Sequence, residues 1–173
     1  MTPPAIEIRP ERSYEFAEIH DFVKTAFETA KVSNGDEQNF VDRLRAGPDY
    51  LPDLARLAVD GDRIVGHVML TRTRLAAADG AREILLLAPL AVALDHRRAG
   101  LGERLTRDVL ARAAAAGFTA VILVGDPAYY ERFGFRRSTD LGIANTDGIP
   151  DPYVQALELV PGALAGGPAT ISF

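Results

Sequence analysis

The apolar run EILLLAPLAV (83–92), the segment LDHRRAGLGERL (94–105) behind it and the apolar TAVILVG (119–125) constrain this chain most. A strand, a glycine-containing turn, an amphipathic helix and a second buried strand, in that order, belong to an α/β fold. The helix is explicit in its spacing. Leu101, Leu105, Val109 and Ala113 share one face, Glu103, Arg104, Arg107, Asp108 and Arg112 face water, and Gly117 stands at the left-handed end position.

The flanking segments read in the same way. Residues 5–9 alternate like a short strand, and Ser13 is placed to cap a helix reaching about residue 30, with Phe16, Ile19, Val23, Phe27 and Ala30 on one face. DEQNFVDRLR (36–45) predicts a second helix. LARLAVDGDRIVGHVMLTR predicts two strands around Asp60-Gly61, and a further hairpin turn falls near Asp79-Gly80. PAYYERF reads as a short helix, GF (134–135) as a turn, and YVQALELV (153–160) as a final strand; the Gly- and Pro-rich tail 161–173 receives no assignment. The order β-α-α-β-β-β-α-β-α-β predicts an α/β sandwich with a mixed sheet flanked by helices. With 173 residues, no repeat and no linker, one domain over 1–173 is expected, its core at about 5–160.

Composition removes several classes of function. The chain has no cysteine, so disulfides, thiolate metal sites and a cysteine nucleophile are excluded. His20, His67 and His96 lie far apart without metal-ligand spacing, and no metal is expected. His20 reads as a partly buried, hydrogen-bonded residue and His96 as solvent-facing. No GxSxG elbow is present. MTPPAIEIRPE lacks a basic start followed by an apolar stretch, the longest apolar run is interrupted by Pro89, and the net charge is −5. The expectations are a cytoplasmic protein with neither a membrane nor a nucleic acid as partner.

Against that acidic background the basic turn is informative. Gly100 and Gly102 carry no Cβ, so a ligand can approach the backbone closely. The first amides of a helix lack internal partners and point outward at its positive end. Arg97 and Arg98 add guanidinium donors suited to phosphate oxygens. The turn therefore suits a phosphate or pyrophosphate, although a solvated basic loop fits the same residues. GxxxxGK[ST] is absent, and the third glycine position of a dinucleotide fingerprint holds Leu105. Pro89 cannot donate to a sheet ladder, yet it lies within the most apolar strand. A strand that parts from its neighbour at 89–92 accounts for it, freeing the amides of Leu90, Ala91 and Val92 for an elongated, phosphate-ended molecule.

LAPLAVALDHRRAGLGERL resembles the strand, bulge and [RQ]-x-x-G-x-[GA] turn of the GNAT N-acetyltransferase superfamily, with Arg97, Gly100 and Gly102 at the signature positions. DPAYYERFGF (126–135) is similar to its Y-x-x-x-G-F helix and turn, with Tyr130 at the tyrosine, and VDGDRIVGHVML is similar to its central hairpin. The pairing is similar to a subgroup of bacterial predicted acetyltransferases. The resemblance implies a mixed sheet splayed at its central strands and acetyl-CoA as cosubstrate. It implies pyrophosphate at Arg97, Arg98, Ala99, Gly100, Leu101 and Gly102, with pantetheine along Leu90, Ala91 and Val92. Tyr130 becomes the acid for the departing thiolate, and a tyrosine pKa of about 10 keeps the proton available. Where many members carry an asparagine before the tyrosine helix, this chain has Gly125-Asp126-Pro127.

The amine must also lose a proton, and a carboxylate can take it. Glu37 shares a helical face with Phe40, Val41 and Leu44 and is the first candidate; Asn34-x-x-Glu37 is equally a capping pair. Glu83 and a water chain are the alternatives. The expected activity is direct acetyl transfer from acetyl-CoA to a primary amine of a small molecule or peptide. A non-catalytic acyl-CoA-binding or sensor module is the rival, and a nucleotide-dependent oxidoreductase is a distant third. Dimers are common in the superfamily, so a homodimer is among the expected states.

Overall fold

The structure is a computed structural model that describes residues 5–173. The first four residues of the stretch read for a secretory signal lie outside the described residues. The chain forms two compact units, one built from residues up to Thr71 with Ala88–Arg112, the other from Arg72–Leu87 with Ala113–Phe173.

In the first unit β1 (Glu7–Pro10) pairs antiparallel with β2 (Ala55–Asp60), and β2 with β3 (Arg63–Ala77). The predicted hairpin is present: Asp60 faces Arg63 across a turn containing Gly61, whose φ is +61°. Strand β4 (Gly80–Val92) follows β3 in the sheet order. Helices α1 (Phe16–Phe27) and α2 (Glu37–Ala46) supply Ile19, Val23, Ala26 and Val41 to a core completed by Ala55, Leu57, Met69 and Ala91. Each such large side chain contributes roughly 1.5–3 kcal/mol on burial. Gly66 of β3 brings α3 (Leu101–Ala115) close to the strands: a Cβ there would lie 2.6 Å from Leu105 Cδ1.

Two expectations for α1 are corrected. Ser13 does not cap it, because residues 13–15 form a separate 3-10 turn. The Glu15 carboxylate accepts from the Arg12 amide at 2.8 Å in its place. The helix ends at Phe27, so Ala30 lies beyond its face. Asp108 is also not simply water-facing, since it accepts from Nε of the buried Arg56 at 3.0 Å.

In the second unit β5 (Ala120–Val124) runs parallel to β4 with Leu85 opposite Val121 and Leu86 opposite Ile122. Beyond Leu86 the described residues hold no further β4–β5 register pair. Strand β8 (Val154–Glu158) lies antiparallel on the other edge of β5, and β6 (Arg136–Arg137) pairs with β8. Helix α4 (Pro127–Tyr130) follows β5, with the Asp126 side chain accepting from the Ala128 amide at 3.0 Å as its cap. The unassigned tail contains a strand, β9 (Ala169–Ile171), antiparallel to the end of β3 and parallel to β7 (Ile143–Asn145).

Candidate active site

The turn between β4 and α3 belongs to the first unit. Leu94–His96 make a 3-10 turn, after which Arg98 (φ +63°) and Gly100 (φ +78°) adopt left-handed backbone. That path turns the main chain into α3, where Arg104 is the first amide bonded to a carbonyl, that of Gly100 at 3.0 Å. The amides from Arg98 to Glu103 take no acceptor among the described residues. A row of open N–H groups at the start of a 15-residue helix is an anion-binding arrangement. Arg98, Ala99 and Gly100 are exposed, and nothing lies within 4 Å of a Cβ built on Gly100.

Arg97 makes hydrogen bonds within the fold. Its Nε donates to Val92 O at 3.1 Å, one terminal nitrogen donates to Thr29 Oγ1 at 2.8 Å, and the other to the Ala26 carbonyl. The guanidinium therefore ties the turn to the end of α1, whereas that of Arg98 has no partner among the described residues. Replacing Arg97 by alanine is expected to remove about 1–3 kcal/mol, or roughly 2–10 °C in Tm. Thermal unfolding measures this, and lysine in its place is not expected to restore it, because one ammonium cannot span the three acceptors.

Strand alternation sorts the β4 amides. The Ala93 amide donates to Val65 O at 2.9 Å, so the Ala91 amide shares the edge turned to β3, while those of Leu90 and Val92 face the opposite edge. Pro89 follows a cis peptide bond.

Glu37 opens α2. Its Oε1 accepts from the Asn34 amide at 3.1 Å, as in a capping pair, whereas Oε2 is buried without a partner among the described residues. Glu83 lies in the second unit against Arg72 (3.5 Å) and Arg74 (3.9 Å). His20 bonds Asp42 at 2.6 Å. His96, expected to face solvent, bonds Asp95 at 2.9 Å and Asp60 at 3.4 Å, and these carboxylates raise its pKa.

Tyr130 belongs to the second unit. Its ring packs edge-on against Tyr129 (5.0 Å between centroids) and Phe135 (5.8 Å). Gly125 explains the residue standing where an asparagine was looked for: a Cβ there would sit 2.6 Å from Tyr130 Cε2. The glycine is held by its amide donating to Tyr153 O (2.8 Å) and its carbonyl accepting from Gln155 Nε2 (3.2 Å). Burial, with Tyr129 and Asp126 nearby, pushes the Tyr130 hydroxyl above its ordinary pKa, so it stays protonated.

A polar cluster escaped the sequence reading. The Glu11 carboxylate, its side chain fully buried, accepts from Arg45 Nε (2.9 Å) and Nη2 (3.0 Å), Tyr50 Oη (2.7 Å) and His67 Nε2 (2.7 Å). Its donors lie 34 to 56 residues from Glu11, and no local pattern joins them to it. Arg45 also stacks over Phe16 at 4.1 Å.

The GNAT acetyltransferase domain model matches residues 7–138. The chain belongs to the GNAT acetyltransferase family. This GNAT chain is 30% identical over 126 residues to the uncharacterized N-acetyltransferase YjhQ of Escherichia coli K12, covering 73% of the chain and 67% of YjhQ. It is 34% identical to the uncharacterized N-acetyltransferase YhbS of the same strain over 76 residues, 44% of either protein. The crystal structure of Escherichia coli YhbS in complex with CoA superposes with a TM-score of 0.84 at 25% identity, over 100% of the chain and 93% of YhbS. A Brucella melitensis GNAT acetyltransferase in complex with acetyl-CoA gives 0.72 at 28% identity, over 91% and 90%. The mixed sheet flanked by helices is thus that of the GNAT fold. Among the described residues no helix is long and apolar enough to cross a membrane, and no group of three His, Asp or Glu could hold a metal.

Proposed function

We propose that the chain transfers an acetyl group from acetyl-CoA to a primary amine by direct attack, residues 1–173 acting as one N-acetyltransferase domain with its core at about 5–160. The open amides from Arg98 to Glu103 carry this reading, since they offer a diphosphate several donors without cost to the helix. Arg98 adds a free guanidinium, and the outward amides of Leu90 and Val92 suit the pantetheine amides and the developing oxyanion. The CoA and acetyl-CoA complexes of the two structural neighbours support that cosubstrate here.

In the reaction the amine lone pair forms a C–N bond to the thioester carbonyl carbon and the C–S bond breaks. Glu37 takes the surplus amine proton and Tyr130 supplies one to the departing thiolate. The test is release of free CoA thiol with a panel of primary amines, beside a calorimetric titration of acetyl-CoA. Tight binding without thiol release from any amine would identify a binding or sensor module instead.

Gly100→Val tests the cradle. Its left-handed backbone strains any β-branched residue, and the new side chain would project into the open space before the amides. Acetyl-CoA affinity is expected to fall roughly tenfold or more; unchanged affinity removes the turn from the binding site.

A further inference from the structure

The turn that leads into the open amides is held from two sides. On one, Arg97 reaches Val92, Thr29 and Ala26. On the other, a chain of charged groups joins it to the hairpin between β2 and β3. Asp60, the last residue of β2, faces His96 Nε2 at 3.4 Å, and His96 Nδ1 lies 2.9 Å from Asp95 Oδ1. Asp95 in turn accepts from both terminal nitrogens of Arg63, the first residue of β3, at 2.6 and 3.1 Å. All four residues belong to the first unit, as does the turn.

Ring chemistry makes this link conditional on a proton. Both ring nitrogens of His96 face a carboxylate oxygen, and an ionised carboxylate only accepts. Imidazolium donates to both. Neutral imidazole has a single N–H, so its other nitrogen then turns a lone pair on an anion. Asp95 and Asp60 are the carboxylates at the ring, and Arg63 is the cation beside them; Arg97 is turned away to α1. The two carboxylates, Asp95 before Asp60, raise the imidazole's pKa, and Arg63 opposes them. The Arg63–Asp95 pair stays when the proton leaves, but it is exposed at both ends and holds weakly.

We infer that His96 is a positioning residue for the cosubstrate: protonated, it fastens the β4–α3 turn to the β2–β3 hairpin, and its deprotonation weakens acetyl-CoA binding. The open amides begin two residues after it, and they serve a diphosphate best when their arrangement is fixed before the ligand arrives. With one of the two ties released, the ligand must order the turn itself, which lowers affinity. This inference rests on the acetyl-CoA reading of the turn. A raised folded-state value means that the link is complete below the ordinary 6.5 and is lost as pH rises through the His96 pKa. Binding should therefore be tighter on the acid side.

The test is calorimetric titration of acetyl-CoA at fixed ionic strength between about pH 5.5 and 8.5 in wild type, His96→Gln and Asp60→Asn. The ligand's own phosphates titrate in every case, so the profile of His96→Gln serves as the baseline. Wild-type affinity is expected to fall roughly three- to fivefold more than that baseline as pH rises. Asp60→Asn separates the link from the charge. Its side-chain amide accepts from imidazolium and donates to imidazole, so the link survives in both forms and the profile should run parallel to the baseline at the tighter level. A wild-type profile parallel to that of His96→Gln overturns the positioning role. So does an Asp60→Asn profile as steep as wild type, which would mean that the charge acts on the phosphates directly. Either result leaves the cosubstrate reading standing, whereas no binding of acetyl-CoA at any pH removes both.

Discussion

Replacing Glu11 by alanine is expected to cost about 3–5 kcal/mol of stability, the range found when one partner of a buried charge pair is removed. Arg45 would keep its charge on a side chain only 6% exposed, and Tyr50 and His67 would each lose their bond to the carboxylate. A domain of this size has a total stability of about 5–15 kcal/mol, so the variant approaches the folding threshold. The same carboxylate makes an acid limb. Burial pushes its pKa up, but the bonds from His67 and Arg45 outweigh that and hold it at about 2, below the ordinary 4.5. A lowered folded-state pKa gives stability that is complete above the unfolded value and is lost as pH falls from there through the folded one. About 3 kcal/mol should therefore disappear between pH 4.5 and 2. Glu11→Gln should flatten the urea-measured stability across that window while lowering it at neutral pH. An unaltered slope would show that other carboxylates set the acid limb.

Replacing Tyr130 by phenylalanine is expected to lower turnover by a factor on the order of 100 while leaving acetyl-CoA affinity within about twofold. Its raised pKa fixes the form of the pH profile. The active form is the protonated one, and the hydroxyl keeps its proton past pH 10, its ordinary value, so any alkaline loss of rate below that pH belongs to another group. Gly125→Ala is the companion test. The added methyl would lie 2.6 Å from the ring, which must then shift from its present packing. Turnover should fall with Tyr130 itself intact. Full activity in Tyr130→Phe would eliminate the tyrosine as the proton donor, whatever Gly125→Ala does.

The extent to which the sequence announced these features depends on the range of the interaction. The β4–turn–α3 segment was legible because its signals are local: an apolar run, two glycines and a 3.6-residue stripe. The open amides follow from that alone. The bonds of Arg97 were not legible, because a basic residue beside an anion-binding turn can serve the ligand or the fold. Only the positions of Val92, Thr29 and Ala26 decide that it ties the fold. Ser13 had the right chemistry for a cap, but the 3-10 turn at 13–15 moved the helix start beyond it. The Glu11 cluster had no local signal, since charges met singly along a chain look solvated until the fold joins them. Glu37 was ambiguous in sequence and is divided in structure, one oxygen for the helix end and one left over.

Strand β9 carries a practical consequence. It has β3 on one side and β7 on the other, and the Phe173 amide and Ser172 hydroxyl just beyond it are held by Asp147. Trimming the chain within its Gly- and Pro-rich stretch would strip main-chain partners from two strands at once, leaving raw edges that invite intermolecular pairing. An affinity handle fused beyond Phe173 needs a spacer, and shortening the chain to the region of strongest family likeness would make it prone to self-association.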